Sequence, residues 1–93
     1  MQGGGPVSFA DLGARIADCL RHFEYENAQF LAERLHAHEA SKESLLTLAT
    51  AYYYNGNKLQ AWALLHAAPP AIRRFGDVAY LLAKVRARAR THA

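Results

Sequence analysis

Five histidines and one cysteine are the residues of this 93-residue chain that could hold a metal or act as a nucleophile. His36 and His38 are two apart, so on a helix they point about 200° away from each other and cannot share an ion. His22, His66 and His92 have no cysteine or carboxylate at a ligand spacing. Surface or hydrogen-bonded histidines are the simpler reading. Cys19 falls on an apolar stripe with Phe9, Leu12, Ile16, Leu20 and Phe23, where a thiol packs as a small hydrophobe. The glycine run at positions 3–5 follows no strand and lacks the downstream Lys-Ser/Thr of a phosphate loop. These residues predict a protein that is not an enzyme and that uses no metal, cofactor or small-molecule ligand.

Charge is the next candidate. The net charge is +3, but residues 1–70 carry a balance of −2 and residues 71–93 one of +5. Such a basic end could meet nucleic acid. Arg86 and Arg90 share a helix face while Arg88 points elsewhere, and no aromatic residues interleave with them as a single-strand reader needs. The arginines read instead as a solvated helix end, favoured there by the macrodipole. No apolar run approaches the roughly 18 residues of a membrane span, and the start, MQGGGP, lacks the regions of a signal peptide. With a single cysteine the chain suits a reducing compartment, so the expectation is nucleus and cytoplasm, with no membrane and no nucleic-acid partner.

The elements that position these side chains are helical. In the stretch from Leu45 to Leu65, Leu45, Leu48, Ala49 and Tyr52 recur at i, i+3, i+4 and i+7, one face of a helix. Leu46, Ala49 and Tyr53 add a second apolar line, and an arc so wide must be covered on more than one side. Asn55-Gly56 stops the helix, and Asn57 with Gln60 reads as the cap of the next. The same reasoning along the chain predicts a flexible lead-in over 1–7 and helices at about 8–22, 26–38, 41–55, 58–67 and 77–91. Ser8, Ser41 and Asp77 are the expected caps, and Pro69-Pro70 ends the fourth helix. Gly13 weakens the first helix by about 1 kcal/mol, which a close neighbouring helix would explain.

The spacing within Leu45–Leu65 resembles a tetratricopeptide repeat, W-x2-L-G-x2-Y…A-x3-F…P. Leu45, Leu48, Ala49, Tyr52, Ala61 and Leu65 fill its repeat-core positions, with a proline pair that arrives early. Ala28 and Ala61 lie 33 residues apart, and Leu48-Ala49 and Leu82-Ala83 lie 34 apart, periods typical of stacked helix pairs. The expected fold is all-α: a tetratricopeptide-repeat α-solenoid fragment of two helical hairpins plus a fifth helix.

If helices one, three and five line the inner curve, Leu46, Thr50, Tyr53 and Tyr54 face a groove, with Leu20, Arg21, Tyr80 and Lys84 on neighbouring helices. Aromatic residues and cations in a concave surface are common binding anchors, although packing within a small domain is the competing reading. The first helix, through Phe9, Leu12 and Ile16, is the other candidate protein interface.

The runs FLAERL, LLTLATAYYYNGN and YLLAK, within residues 9–85, resemble the N-terminal repeats of the Cdc-type tetratricopeptide scaffold subunit of the anaphase-promoting complex, the cyclosome. The resemblance implies a non-catalytic subunit of a multisubunit ubiquitin ligase acting in the cell cycle. It also implies a homodimer paired through N-terminal repeats, with other subunits of the complex as partners. The repeats that in this family receive coactivator tails are not matched here. The alternative is a free-standing adaptor that takes a peptide in its groove. A Lys/Arg/Asn lining would favour an acidic terminus, whereas the mostly apolar and aromatic candidates favour helix or subunit packing.

Overall fold

Apolar side chains at 3.6-residue spacing, broken by turn residues, give six helices in the structure, a computed structural model that describes the backbone of residues 9–91 and the side chains of residues 11–88. They are α1 (Phe9–Arg21), α2 (Tyr25–His38), α3 (Lys42–Tyr54), α4 (Lys58–His66), α5 (Pro70–Arg73) and α6 (Gly76–Thr91), with no strand among the described residues. The expected lead-in and the Ser8 cap lie outside the described residues, as does the side chain of Phe9. Each long helix packs on the next, α1 on α2, α2 on α3, α3 on α4 and α4 on α6. This serial packing is that of a solenoid, and the body is elongated at 48 × 29 × 17 Å.

The broad apolar arc of α3 is covered from both sides. Leu48 and Ala51 join Ile16, Ala28 and Ala32 in one buried cluster, and Leu45 and Ala49 join Ala61, Leu65, Ala68, Val78, Leu81 and Val85 in another. Tyr52 and Leu64 pack against both clusters and so tie them together. Leu12, Ile16, Ala28 and Ala32 stand 33 residues before Leu45, Ala49, Ala61 and Leu65, and all eight are buried. The first hairpin is therefore built in the same register as the second. The later echo fades: Leu82 is half-buried and Ala83 exposed, because no helix follows α6 among the described residues as α4 follows α3.

Turn chemistry repeats at the same interval. At the end of α1, Glu24 N–H bonds the Cys19 carbonyl at 2.8 Å and Phe23 N–H that of Leu20 at 3.2 Å. At the end of α3, Asn57 N–H bonds the Tyr52 carbonyl at 2.8 Å and Gly56 N–H that of Tyr53 at 3.2 Å. Both are Schellman closures, which need a left-handed residue after the cap. Gly56 takes φ 84° without strain, but Phe23 takes φ 62°, a conformation that costs a residue with a Cβ about 1–2 kcal/mol. Its ring is 76% exposed, so burial on this chain does not offset the strain. Phe23→Gly is expected to stabilise the isolated chain by about 1 kcal/mol, read from the urea midpoint. A fall in the midpoint would mean that the contact between the Phe23 and Tyr25 rings outweighs the strain.

Several local expectations are corrected by long-range contacts. Ser41 caps α3 in a reciprocal box with Ser44, but Asn57 makes no side-chain cap for α4. Its amide is drawn instead to Gln29 on α2, at 2.6 Å. Pro70 does more than follow the end of the fourth helix: it occupies the first turn of the four-residue α5, where a missing N–H and a fixed φ suit a helix start. Asp77 is not the cap of the last long helix, since α6 begins at Gly76. It sits in the first turn, accepts from Val78 N–H at 2.9 Å and from Lys42 Nζ at 3.1 Å, and the Lys42 hydrogen bond holds its carboxyl below the usual value. Gly13 faces open space, with nothing within 4 Å of where a Cβ would stand, so no close helix explains it.

Candidate functional site

The histidines resolve into local contacts. His36 Nδ1 and Ser44 Oγ share a hydrogen bond at 2.7 Å, and Ser44 Oγ lies 3.1 Å from the Ser41 carbonyl. His66 stacks on Trp62 with centroids 4.6 Å apart. His22 does have a carboxylate one helical turn away, contrary to the spacing argument: its Nδ1 lies 3.6 Å from Asp18 Oδ1 and donates to the Asp18 carbonyl at 2.8 Å. Arg21 shares that carboxylate, so the three form an exposed surface pair network rather than a ligand set. His92 lies outside the described residues. Among the described residues, no three His, Cys, Asp or Glu side chains gather as a metal site would need. Partial burial and the nearby Glu24 carboxylate push the Cys19 thiol up, which keeps it protonated and poorly nucleophilic. No helix of the described residues is long and apolar enough to cross a membrane.

The residues proposed for protein contact divide into two groups. Leu12 and Ile16 are buried inside the chain's own first hairpin, in core positions equivalent to those of Leu45 and Ala49, and are not available on a free surface. Leu20 is half-buried against the same cluster. Leu46 and Thr50 are half-buried on α3, with Leu46 packed against the second cluster.

Tyr53, Tyr54, Tyr80 and Lys84 come together. The turn closing α3 splays Tyr53 and Tyr54 onto one side with ring centroids 5.5 Å apart at 79°. Tyr54 stacks on Tyr25 at the start of α2, at 5.7 Å and 21°, and Tyr25 meets the edge of Phe23 at 6.1 Å. On the other side α6 brings the Lys84 ammonium 5.2 Å from the Tyr53 centroid and 6.0 Å from those of Tyr54 and Tyr80. Cations at this range over an aromatic face are attracted by about 0.5–1 kcal/mol at exposed sites. A continuous aromatic and cationic row thus crosses from the first hairpin to the last helix. It keeps Phe23, Tyr54 and Tyr80 exposed at 76%, 48% and 68%.

Sequence reasoning missed Tyr25, Phe23 and Arg88 as members of this row. Arg88 lies 6.0 Å over Tyr53 and stands one turn after Lys84, a spacing that could have found it. A basin of about 330 Å³ opens beside the row, lined by Tyr53, Tyr54, Gly56, Lys58, Lys84 and Arg88.

Serially packed helix pairs in a 33-residue register, presenting an aromatic face, define an all-α tetratricopeptide-repeat solenoid segment. Comparison with known proteins narrows this. The family model for "Anaphase-promoting complex, cyclosome, subunit 3" matches residues 21–89, and the chain belongs to that family. It is 48% identical to the cell division cycle protein 27 homolog of Homo sapiens over 52 residues, which is 56% of this chain and 6% of that protein. It is 41% identical to cell division cycle protein 27 homolog B of Arabidopsis thaliana over 66 residues, 67% of this chain and 9% of that protein. The chain therefore spans less than a tenth of the length of these relatives.

Proposed function

We propose that this chain is a non-catalytic scaffold module of the anaphase-promoting complex, a multisubunit ubiquitin ligase of the cell cycle, working in the nucleus and cytoplasm. Its part in that assembly is to pair with a second copy and to contact other subunits through its N-terminal tetratricopeptide helices. The observation that carries the reading is the exposed aromatic row from Phe23 through Tyr25, Tyr54 and Tyr53 to Tyr80. A strained, exposed phenylalanine at its end fits the tendency of backbone strain to persist where function needs the side chain. A solenoid segment also leaves apolar faces at its ends, and a self-complementary two-fold contact would cover them.

Light scattering over a dilution series tests the pairing. The expected result is a dimer that persists on dilution, and its loss in the double variant Leu46→Ala with Tyr53→Ala while the helical circular dichroism signal is kept. Leu46 and Tyr53 each pack only part of their surface within the chain, so this variant weakens the face more than the fold. An undiminished dimer in the folded double variant removes the groove from the interface, and a monomeric parent chain at every concentration removes the pairing itself.

A further inference from the structure

At the end of α3 away from Tyr53 and Tyr54, a cleft of about 400 Å³ opens between the start of α3, the end of α4 and α5. Its walls are mostly apolar, from Leu45, Leu64, Ala67, Ala68, Pro69 and Ile72. The polar groups among them already have partners within the chain. His36 Nδ1 shares a hydrogen bond with Ser44 Oγ at 2.7 Å, Ser41 Oγ accepts from Ser44 N–H at 3.0 Å, and Lys42 Nζ lies 3.1 Å from Asp77 Oδ2. The 33-residue register shows what the cleft lacks. Ala68 stands where the first hairpin has Leu35, which packs against the first cluster, and Ala67 stands where it has Arg34. The second hairpin offers methyl groups at positions where the first sets longer side chains. At the α5 edge, charge is unmatched. Arg73 follows Ile72, and its Nε is buried with no hydrogen-bond partner. The Arg74 side chain makes no ion pair among the described residues. A buried guanidinium N–H stays costly until an acceptor reaches it.

We propose that this cleft binds a segment of another protein in which a leucine or isoleucine lies beside an acidic residue. The aliphatic side chain supplies to the second hairpin what Leu35 supplies to the first, and the carboxylate meets Arg73 and Arg74 at the α5 edge. No carboxylate lines the cleft, so nothing in its walls repels that group. The mouth is open to such a segment, since Ala40, Ala67 and Pro69 are exposed. The volume lies near the low end of the roughly 300–1,000 Å³ typical of ligand pockets. That is room for an apolar side chain with its flanking backbone rather than for a whole helix. Interfaces concentrate their binding energy in such desolvated pockets and on arginine. The aromatic row proposed for pairing includes Tyr53 and Tyr54 at the other end of α3, so a second copy held there leaves this cleft free for a different protein. The inference rests on the reading of the chain as a scaffold that contacts other proteins, and not on what it pairs with.

The test titrates the full chain with the fluorescein-labelled peptide Glu-Asp-Leu-Leu-Asp-Glu, followed by anisotropy. Its comparison probes are the same peptide with serines for the leucines, and with amides for the acids. The chain has two isoleucines, Ile16 and Ile72, and only Ile72 lines the cleft. Expected is saturable binding of the first peptide and weaker binding of both others. The Ile72 methyl resonance should move, while that of Ile16, buried in the first cluster, stays in place. Ala67→Leu sets a longer side chain on an exposed wall and should lower the affinity about tenfold, with the helical circular dichroism signal kept. Should that chain not fold, Ala40→Leu closes the opposite wall with the same expected loss. Arg73→Gln with Arg74→Gln should also lower the affinity about tenfold and flatten its dependence on salt. Arg15→Gln, which removes a charge from α1, should leave binding unchanged. Undiminished binding in a folded wall variant, an unmoved Ile72 methyl, or a serine peptide that binds as well as the leucine one overturns the assignment. An equal loss in Arg15→Gln means attraction to net charge alone, and overturns it too. A chain that takes no peptide but falls from dimer to monomer in Ala67→Leu gives the cleft to a second copy, again against the assignment. Molar mass keeps the two readings apart: a monomer whose Ile72 methyl moves with the peptide sinks the pairing and leaves the inference standing, and a dimer whose Ile72 methyl stays unmoved does the reverse.

Discussion

Leu65→Ala is expected to destabilise the chain by about 2–5 kcal/mol, the range for emptying a fully buried leucine site. That is a large share of the roughly 5–15 kcal/mol that holds a small domain folded. Leu65 has 0% exposure and lies in the cluster that joins α3, α4 and α6. Its neighbours there include Ala49 and Ala61, which have no longer side chain to swing into a vacated space, so the cavity should persist. In a serially packed fold each element contacts mainly its neighbours, and stability is a sum of local and interface contributions. The damage should therefore be graded along the chain. Urea unfolding should show the lowered midpoint, and hydrogen exchange should show α6 losing protection before α1 and α2, whose cluster does not contain Leu65. A loss below about 1 kcal/mol, or protection lost evenly along the chain, would show that the two clusters act as one core. Leu65→Met, which keeps the volume, should cost less than about 1.5 kcal/mol.

What the sequence made legible follows from which contacts are local. Leu45, Leu48, Ala49 and Tyr52 declare a helix face because helical spacing is a property of neighbours in the chain, and Ser41 could be read as a cap because its partner Ser44 is three residues away. The all-α solenoid follows from such patterns repeated at one period. The apolar stripe of the first helix offers Leu12 and Ile16 as a partner-facing surface, but the same period sets them in the core: 33 residues before Leu45 and Ala49, they inherit the burial of those positions. The meeting of Tyr53, Tyr54, Tyr80 and Lys84 could be anticipated once alternate helices were taken to line one curve. Tyr25 is hidden because it sits at a helix start rather than on a stripe, and Arg88 because Arg86 and Arg90 beside it obscure its one-turn spacing from Lys84. Pro70 misled for a sharper reason. A proline ends one helix and begins another by the same missing N–H, so the residue alone does not say which.

Asn57 shows the other limit, and its partner carries the second large effect. Gln29 on α2 turns its carbonyl oxygen to the loop between α3 and α4, accepting from Asn55 Nδ2 at 2.9 Å and from Asn57 Nδ2 at 2.6 Å. Its own amide donates to Glu33 Oε2 at 3.4 Å, and the Tyr52 hydroxyl donates to the same oxygen at 3.0 Å. One side chain thus clamps the first hairpin to the turn of the second, across 26 and 28 residues of sequence. Nothing in the local pattern of Gln29 could announce it. Gln29→Leu is expected to cost about 1–3 kcal/mol, because two half-buried amides then lose a shared acceptor that an apolar side chain cannot replace. Removing the donors as well, with Asn55→Ala and Asn57→Ala, should cost less than the separate losses summed, since no amide is then left unpaired. A coupling of about 0.5 kcal/mol or more in that cycle is the expected result, and strict additivity would mean that water already serves these amides. The neighbouring Tyr52 gives the clamp a pH limit. Burial first, and then its bond to Glu33, push the Tyr52 hydroxyl above the ordinary value of 10.0. A raised folded value means the contribution is whole below the unfolded value and is lost as pH rises through the folded one. The clamp should therefore hold through neutral pH and loosen only in alkali, where Tyr52→Phe removes that part of the pH dependence.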